Sequence, residues 1–486
     1  MSKTSSKDTW LKMTEDYRLR LDVVADELRD SPELAALRTE WRVAGVESEI
    51  RTGRDSGASF AALVAGETDA VFLPLEEGRG KLPADCEWFV PKTGPETSAA
   101  GSAADGEGEA ALFFRADDRR MLLLRALHVS AVAFIGGGPG DPGLCTVAGV
   151  EALRRCEVCL YDALVPAALL AEMPAAARAV YVGKRCGSHS LKQNEICEIL
   201  ADYARRGFRV VRLKGGDPGI FGRLAEEIET FDRYHLPYRV VPGVSSLMAA
   251  TTGTGMFLTR RGISRGFTVL TPRRAGDDLK TRPVYGAYQN LPPRPVVFFM
   301  AMGRIGELVE NLLSRGRVPS EPAAVVWGAS TPGEIVVRGT LGDIAARVEE
   351  YDGDLPGIFM LGETTRFFLA DNWSALKEEA VLLLVRPEKL KTCSEEIRAF
   401  GGRPVIPPPL LELSGVERRR PVFDSVILTD ARVADDFRRQ WGDLPEKMVY
   451  SGTEELELVR ELARERVAAR LRAADGNSAI RAEETA

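Results

Sequence analysis

From Ala131 onward, short apolar runs rich in Val, Ile, Leu and Phe alternate with longer stretches whose apolar positions recur at helical spacing. The runs "AVAFIG", "CEVCLYD", "AVYVGK", "RVVRLKG" and "YRVVPG" predict strands, and the intervals between them predict helices, including one from Ser190 to Arg206 and one from Arg223. Strands regularly interrupted by helices give a mostly parallel sheet with helices on both faces. From Ser245 the pattern becomes richer in strands, through "FTVLTP", "PVVFFMAM", "AAVVWG", "EIVVRGTL" and "GIFMLGE". The expectation is an α/β chain with two central lobes and a cleft between them, flanked by smaller α/β segments.

The flanks follow different patterns. A charged stretch from Trp10 to Ala44 is read as helical, "DAVFLPL" as a strand, and the Gly, Ser and Ala-rich run from Thr93 to Ala110 as a linker. After "NWSALKEEA" the run "VLLLV", Val381 to Val385, opens a new strand, and the polar tail from Ala473 to Ala486 is expected to fray. The boundaries that follow are 1–131, 132–376 with lobes of about 132–243 and 244–376, and 380–486. A length of 486 residues is in keeping with several such units.

A net charge of -7 without a Lys/Arg block excludes the basic surface of a nucleic-acid binder. Charged residues close behind Met1 and short apolar runs predict a chain without leader or membrane span, hence cytoplasmic. Seven cysteines and three histidines give no zinc-ligand spacing, so no metal is expected, and the pair Cys156 and Cys159 is read as two small buried residues.

The candidate chemistry lies at predicted strand ends. "GGGPGDPGLCT", "RLKGGDPGIFGR" and "VVPGVSS" each place glycines where backbone must approach a ligand or another loop closely. Ligands of open α/β sheets bind at such carboxyl ends, and three in one sheet exceed ordinary turn chemistry. The spacing is not that of a dinucleotide fingerprint.

With "GPGDPGLCT", "LYDALV", "VGKRCGSHSLKQNEI", "VVRLKGGDPGIFGR", "VVPGVSS", "FFMAMG" and "PGIFMLGE" in this order, the centre resembles the uroporphyrinogen-III C-methyltransferase family over about half of the chain. The resemblance implies a two-lobed tetrapyrrole methylase fold, a homodimer, and S-adenosyl-L-methionine in the interlobe cleft. It also implies two successive methylations of uroporphyrinogen III, giving precorrin-2 on the route to sirohaem or cobalamin. Carried over by position, the cofactor contacts are Pro139, Gly215, Gly216, Asp217, Ile220, Ser245, Ser246, Met300 and Gly328. Proton handling falls on Asp162 and Lys184. Arg185, His189, Arg223, Arg260 and Arg261 are candidates for the substrate's carboxylates, which guanidinium groups bind in pairs. For Met300 core packing, for Asp162 a cap, and for the arginines a solvated charge stand as alternatives. Gly219, Leu224, Ala225, the run Leu258 to Gly262, and Ala301 depart from the family pattern.

The last segment, "LLLVRPEKLKTCSEEIRAFGGRPVIPPPLLEL" with "FDSVILTDARVADDF", resembles part of uroporphyrinogen-III synthase, and "SFAALVAGETDAVFLPLEEGRGKLP" faintly resembles hydroxymethylbilane synthase. The combination implies a fused pathway protein, with other tetrapyrrole enzymes as partners. A methyltransferase of the same superfamily with another acceptor, and a non-catalytic pathway scaffold, are the two other readings.

Overall fold

The computed structural model describes residues 18–44, 46–91, 109–183, 192–272, 294–331, 333–349, 351, 355–368, 374–376, 379–407, 423–445 and 449–483. Four sheets succeed one another along the chain. The first joins β1 (Arg18–Val23), β2 (Glu47–Arg51), β3 (Ala70–Pro74), β4 (Cys86–Phe89) and β5 (Ala110–Arg115) in the order β2-β1-β3-β5-β4. The helical reading of Trp10 to Ala44 is corrected here. Leu19, Leu21 and Val23 alternate with Arg18, Arg20 and Asp22, a period of two that makes Arg18–Val23 a strand. The helix begins only at Pro32, behind the Ser31 cap.

The second sheet carries the first lobe: β6 (Val132–Gly136), β7 (Val158–Tyr161), β8 (Arg178–Tyr181), β9 (Val210–Lys214) and β10 (Tyr238–Val241), ordered β10-β6-β9-β7-β8. Every pairing in it is parallel. Helices Val147–Leu153, Gln193–Arg205 and Leu224–Arg233 supply its crossovers. The third sheet is mixed: β11 (Thr268–Leu270), β12 (Val296–Phe298), β13 (Pro322–Trp327), β14 (Ile335–Thr340) and β15 (Gly357–Leu361), ordered β11-β12-β15-β13-β14. The fourth is parallel: β16 (Ala380–Leu384), β17 (Arg403–Val405), β18 (Ser425–Leu428) and β19 (Val449–Ser451). The helix Glu455–Glu483 that follows runs well into the tail expected to fray, a stretch free of proline. Among the described residues no helix is long and apolar enough to cross a membrane.

The first sheet and the first lobe share one core. Leu21, Phe72, Phe114 and Trp41 belong to the same buried cluster as Val132, Phe134, Leu160 and Leu200. Glu87, buried on β4, accepts from Arg205 Nε at 3.0 Å and Nη2 at 2.9 Å, and Arg125 Nη2 crosses to the Tyr234 carbonyl at 2.8 Å. Arg206 forks onto Glu109 at 2.9 and 3.2 Å. Charge pairs in fork geometry therefore lock an interface that apolar burial drives.

Within the first sheet Asp69 accepts from Arg20 Nε at 3.0 Å and from Arg120 Nη2 at 3.0 Å. Burial acts to raise the Asp69 carboxyl, but these hydrogen bonds outweigh it and hold the group below its ordinary 3.8. A depressed carboxyl contributes stability that is complete above 3.8 and is lost as the pH falls through the folded value. Amide exchange on β1 and β3 is thus expected to stay slow down to that pH and to quicken below it. An Asp69→Asn variant should exchange faster at neutral pH and respond less to acid. Equal acid sensitivity in both proteins would refute the assignment.

Candidate active site

Because β10, β6 and β9 are neighbours, the loops leaving their carboxyl ends emerge side by side. Glycine permits the contact between them. A side chain on Gly136 would begin 2.5 Å from both the Gly216 carbonyl oxygen and Gly243 Cα, and one on Gly243 would begin 2.2 Å from the same oxygen. Gly138 and Gly216 exchange backbone hydrogen bonds, Gly216 N to Gly138 O at 2.8 Å and Gly138 N to Gly216 O at 3.3 Å. Asp217 then ties the junction: Oδ2 accepts from Gly243 N at 3.0 Å and Oδ1 from Gly219 N at 2.8 Å. Gly215 is pressed against Leu164, so the loop after β7 joins the cluster. Ser245 is buried, its hydroxyl accepting from Leu247 N at the start of the next helical turn, and Ser246 lies beside Gly216.

The second lobe closes on this junction. Asp141 N donates to Ser330 Oγ at 3.3 Å, Gly140 abuts Thr331, and the Phe221 and Phe299 rings meet with centroids 5.0 Å apart. Among the described residues five non-glycine side chains sit at positive φ, and four of them, Phe221, Arg223, Met300 and Ser330, lie on these loops. Such backbone costs about 1–3 kcal/mol per residue and persists where surroundings enforce it, commonly at binding sites. Met300 is 46% exposed, which sets aside core packing for it. Leu164, Ile220, Phe221 and Met248 are also exposed on segments that follow strand ends. Gly328, at φ 54°, lies at the end of β13 where Thr331 Oγ1 returns to its carbonyl at 2.6 Å.

Beneath the loops lies a charged group that the sequence reading missed. Glu227 is 0% exposed and accepts from Arg212 Nε at 3.0 Å, Lys214 Nζ at 2.8 Å and Gln193 Nε2 at 3.1 Å. Arg212 Nη2 also faces Asp162 Oδ2 at 3.6 Å, while Asp162 Oδ1 caps the turn at Leu164 N. Burial, aided by Arg212, pulls the Lys214 ammonium below its ordinary value in spite of Glu227. The available signal was two cations at alternate positions of "VVRLKG", a strand central in a parallel sheet, where both faces are normally apolar.

The remaining candidates separate. Arg223 is paired with Glu226 at 2.8 Å, and Arg260 lies over the Phe367 ring at 3.6 Å. Arg261 is exposed, next to Gly262 at φ 82°. Lys184, Arg185 and His189 lie outside the described residues. Cys156 and Cys159 are buried, and burial pushes the Cys156 thiol up to about 12.

The Tetrapyrrole (Corrin/Porphyrin) Methylases family matches residues 131–345. The uroporphyrinogen-III C-methyltransferase of Methanocaldococcus jannaschii is 38% identical over 233 residues, 48% of this chain and 95% of that protein. The enzyme of the same description from Sinorhizobium sp is 37% identical over 250 residues, 51% and 89% of the two chains. The siroheme synthase 1 of Halorhodospira halophila is 36% identical over 280 residues, and this chain spans only 56% of its length. A solved structure, the Thermus thermophilus uroporphyrin-III C-methyl transferase complexed with S-adenyl homocysteine, is 38% identical, covers 49% of this chain and 99% of its own, and has a TM-score of 0.42. A two-lobed α/β protein with a glycine-built junction of strand-end loops is the class that the geometry defines. The chain belongs to the tetrapyrrole methylase family, among relatives described as uroporphyrinogen-III C-methyltransferases.

Proposed function

We propose that this chain methylates uroporphyrinogen III twice, with S-adenosyl-L-methionine as donor, giving precorrin-2 for sirohaem or cobalamin. The observation that carries the reading is the three-loop glycine junction, met by the second lobe at Ser330 and Thr331, in a segment that matches methyltransferases over nearly their whole length. The residues suit the donor: backbone groups and the Ser245 and Ser246 hydroxyls answer a zwitterionic amino-acid end, and exposed Ile220, Phe221 and Met300 answer a flat heterocycle. Pro139, Gly215, Gly216, Asp217, Ser245 and Ser246 would hold it, with Asp217 acting through the loops it ties. When bound, the donor supplies an electrophilic methyl group on a sulfonium centre.

The protein's part is alignment and exclusion of water, so that an electron-rich pyrrole carbon meets the methyl in line. Asp162, with Oδ2 toward Arg212, is assigned the proton lost as the ring rearranges. Lys184 is assigned proton donation or a substrate carboxylate, and Arg185, His189, Arg223, Arg260 and Arg261 the other carboxylates. Arg223 and Arg260 would leave Glu226 and Phe367 to do so. A homodimer, tetrapyrrole-pathway partners, and flanking segments derived from the synthases they resemble complete the reading.

The test is anaerobic incubation of the full chain with S-adenosyl-L-methionine and enzymatically generated uroporphyrinogen III, followed by mass. Two added methyl groups are expected, with Asp162→Asn slower by about tenfold, a modest share because alignment carries most of the rate. Binding of S-adenosyl-L-homocysteine without any methyl transfer to this acceptor would overturn the reading.

A further inference from the structure

The fourth sheet reaches the cofactor loops of both lobes from outside the segment that matches the family. Helix Pro387–Ala399 ends in a tight turn, with Gly401 at φ 81° and Gly402 N returning to the Ile397 carbonyl at 2.9 Å, and the chain then enters β17. One arginine stands on each side of this turn. Arg398 Nη2 meets Asp141 Oδ1 at 2.9 Å, in the loop that follows β6. It also fills the space beside Gly143, where an added Cβ would start 2.8 Å from it. Arg403 Nη1 donates to the Thr331 carbonyl at 3.2 Å, in the loop that follows β13. Asp141 is also the residue whose N donates to Ser330 Oγ at 3.3 Å, and Thr331 follows Ser330 directly, so both arginines hold the loops where the two lobes meet.

We propose that Arg398 and Arg403 are positioning residues for the methyl-donor site, setting the separation of the Pro139–Asp141 and Gly328–Thr331 loops from a third structural unit. The inference rests on the donor reading above. Neither arginine touches the donor. Both act through the loops, which also touch directly at Asp141 and Ser330, and two contacts from one rigid turn constrain the loop spacing further where either alone would allow hinging. The "GGRPV" motif, unused by the methyl-transfer chemistry, thereby acquires a task in this chain. Both arginines lie beyond residue 345, where the family match ends.

The experiment is calorimetric titration of the full chain with S-adenosyl-L-homocysteine, comparing Arg398→Ala, Arg403→Ala, the double variant, Arg398→Lys and Arg460→Ala. Arg460 pairs with Glu396 on the same helix, away from the loops, and serves as the control for harm to the unit itself. Each single alanine is expected to weaken binding by roughly threefold to tenfold, the range of a partly exposed charged contact that also fixes geometry. Arg398→Lys should recover part of the loss, and Arg460→Ala should bind like the wild type. In steady state the donor KM should rise with kcat within about twofold, as uniform loss of binding requires. Amide exchange at Gly140–Gly143 should quicken in Arg398→Ala and not in Arg460→Ala. Equal affinity in the wild type and the double variant overturns this inference alone, as does a loss shared by Arg460→Ala. No binding by the wild-type chain overturns the donor reading and this inference with it.

Discussion

Glu227→Ala is expected to lower the stability of the first lobe by about 3–5 kcal/mol, because it strands two buried cations. Arg212 and Lys214 are 3% and 4% exposed, and Glu227 is the carboxylate that accepts from both. Removing it leaves their charge without compensation in a region that excludes water. Glu227→Gln keeps an acceptor for one of them and should lose less. Urea titration followed by amide exchange on β9 reads the lobe, with the leading sheet that shares its core, apart from the later units, whose separate transitions would blur a global midpoint. A shift under about 1 kcal/mol would mean that the cations find water or another partner. The same substitution should slow methyl transfer, since Arg212 also faces Asp162.

Gly243→Ala is expected to reduce donor binding and turnover by at least about a hundredfold, the scale on which a misplacement of about 1 Å acts. The new Cβ would lie 2.2 Å from the Gly216 carbonyl oxygen and 2.7 Å from Gly136 Cα. All of these are backbone atoms, so no side-chain rotation relieves the clash and the β9 and β10 loops must part. The Asp217 to Gly243 hydrogen bond would be lost with them, and Ser245 and Ser246 would move. Gly253→Ala is the matched control, since nothing lies within 4 Å of its would-be Cβ. Donor binding within about threefold of wild type in Gly243→Ala would show that the junction is not the binding element.

The lobes were legible because their information is local. Glycine clusters at the ends of β-branched runs announce strand-end loops, and the loops after β6, β9 and β10 lie together as that reading requires. The edge between Trp10 and Ala44 misled because its charge density resembles a helix, while the alternation Leu19, Leu21, Val23 determines which face is buried. Arg212 and Lys214 were passed over as ordinary strand residues because their partner, Glu227, comes from the next helix. Arg398 and Asp141 stand 257 positions apart, and no local pattern marks either as half of a pair. Contacts that depend on the docking of whole units leave no periodic trace.

The core that runs without interruption from Leu21 and Phe72 to Phe134 and Leu200 has a bearing on where such a chain can be cut. Because that interior is held in common, the leading sheet and the first lobe cannot be parted without cost: removing the sheet would uncover apolar side chains that the common cluster keeps from water. A boundary drawn along the sequence between the two is therefore not a boundary in folding.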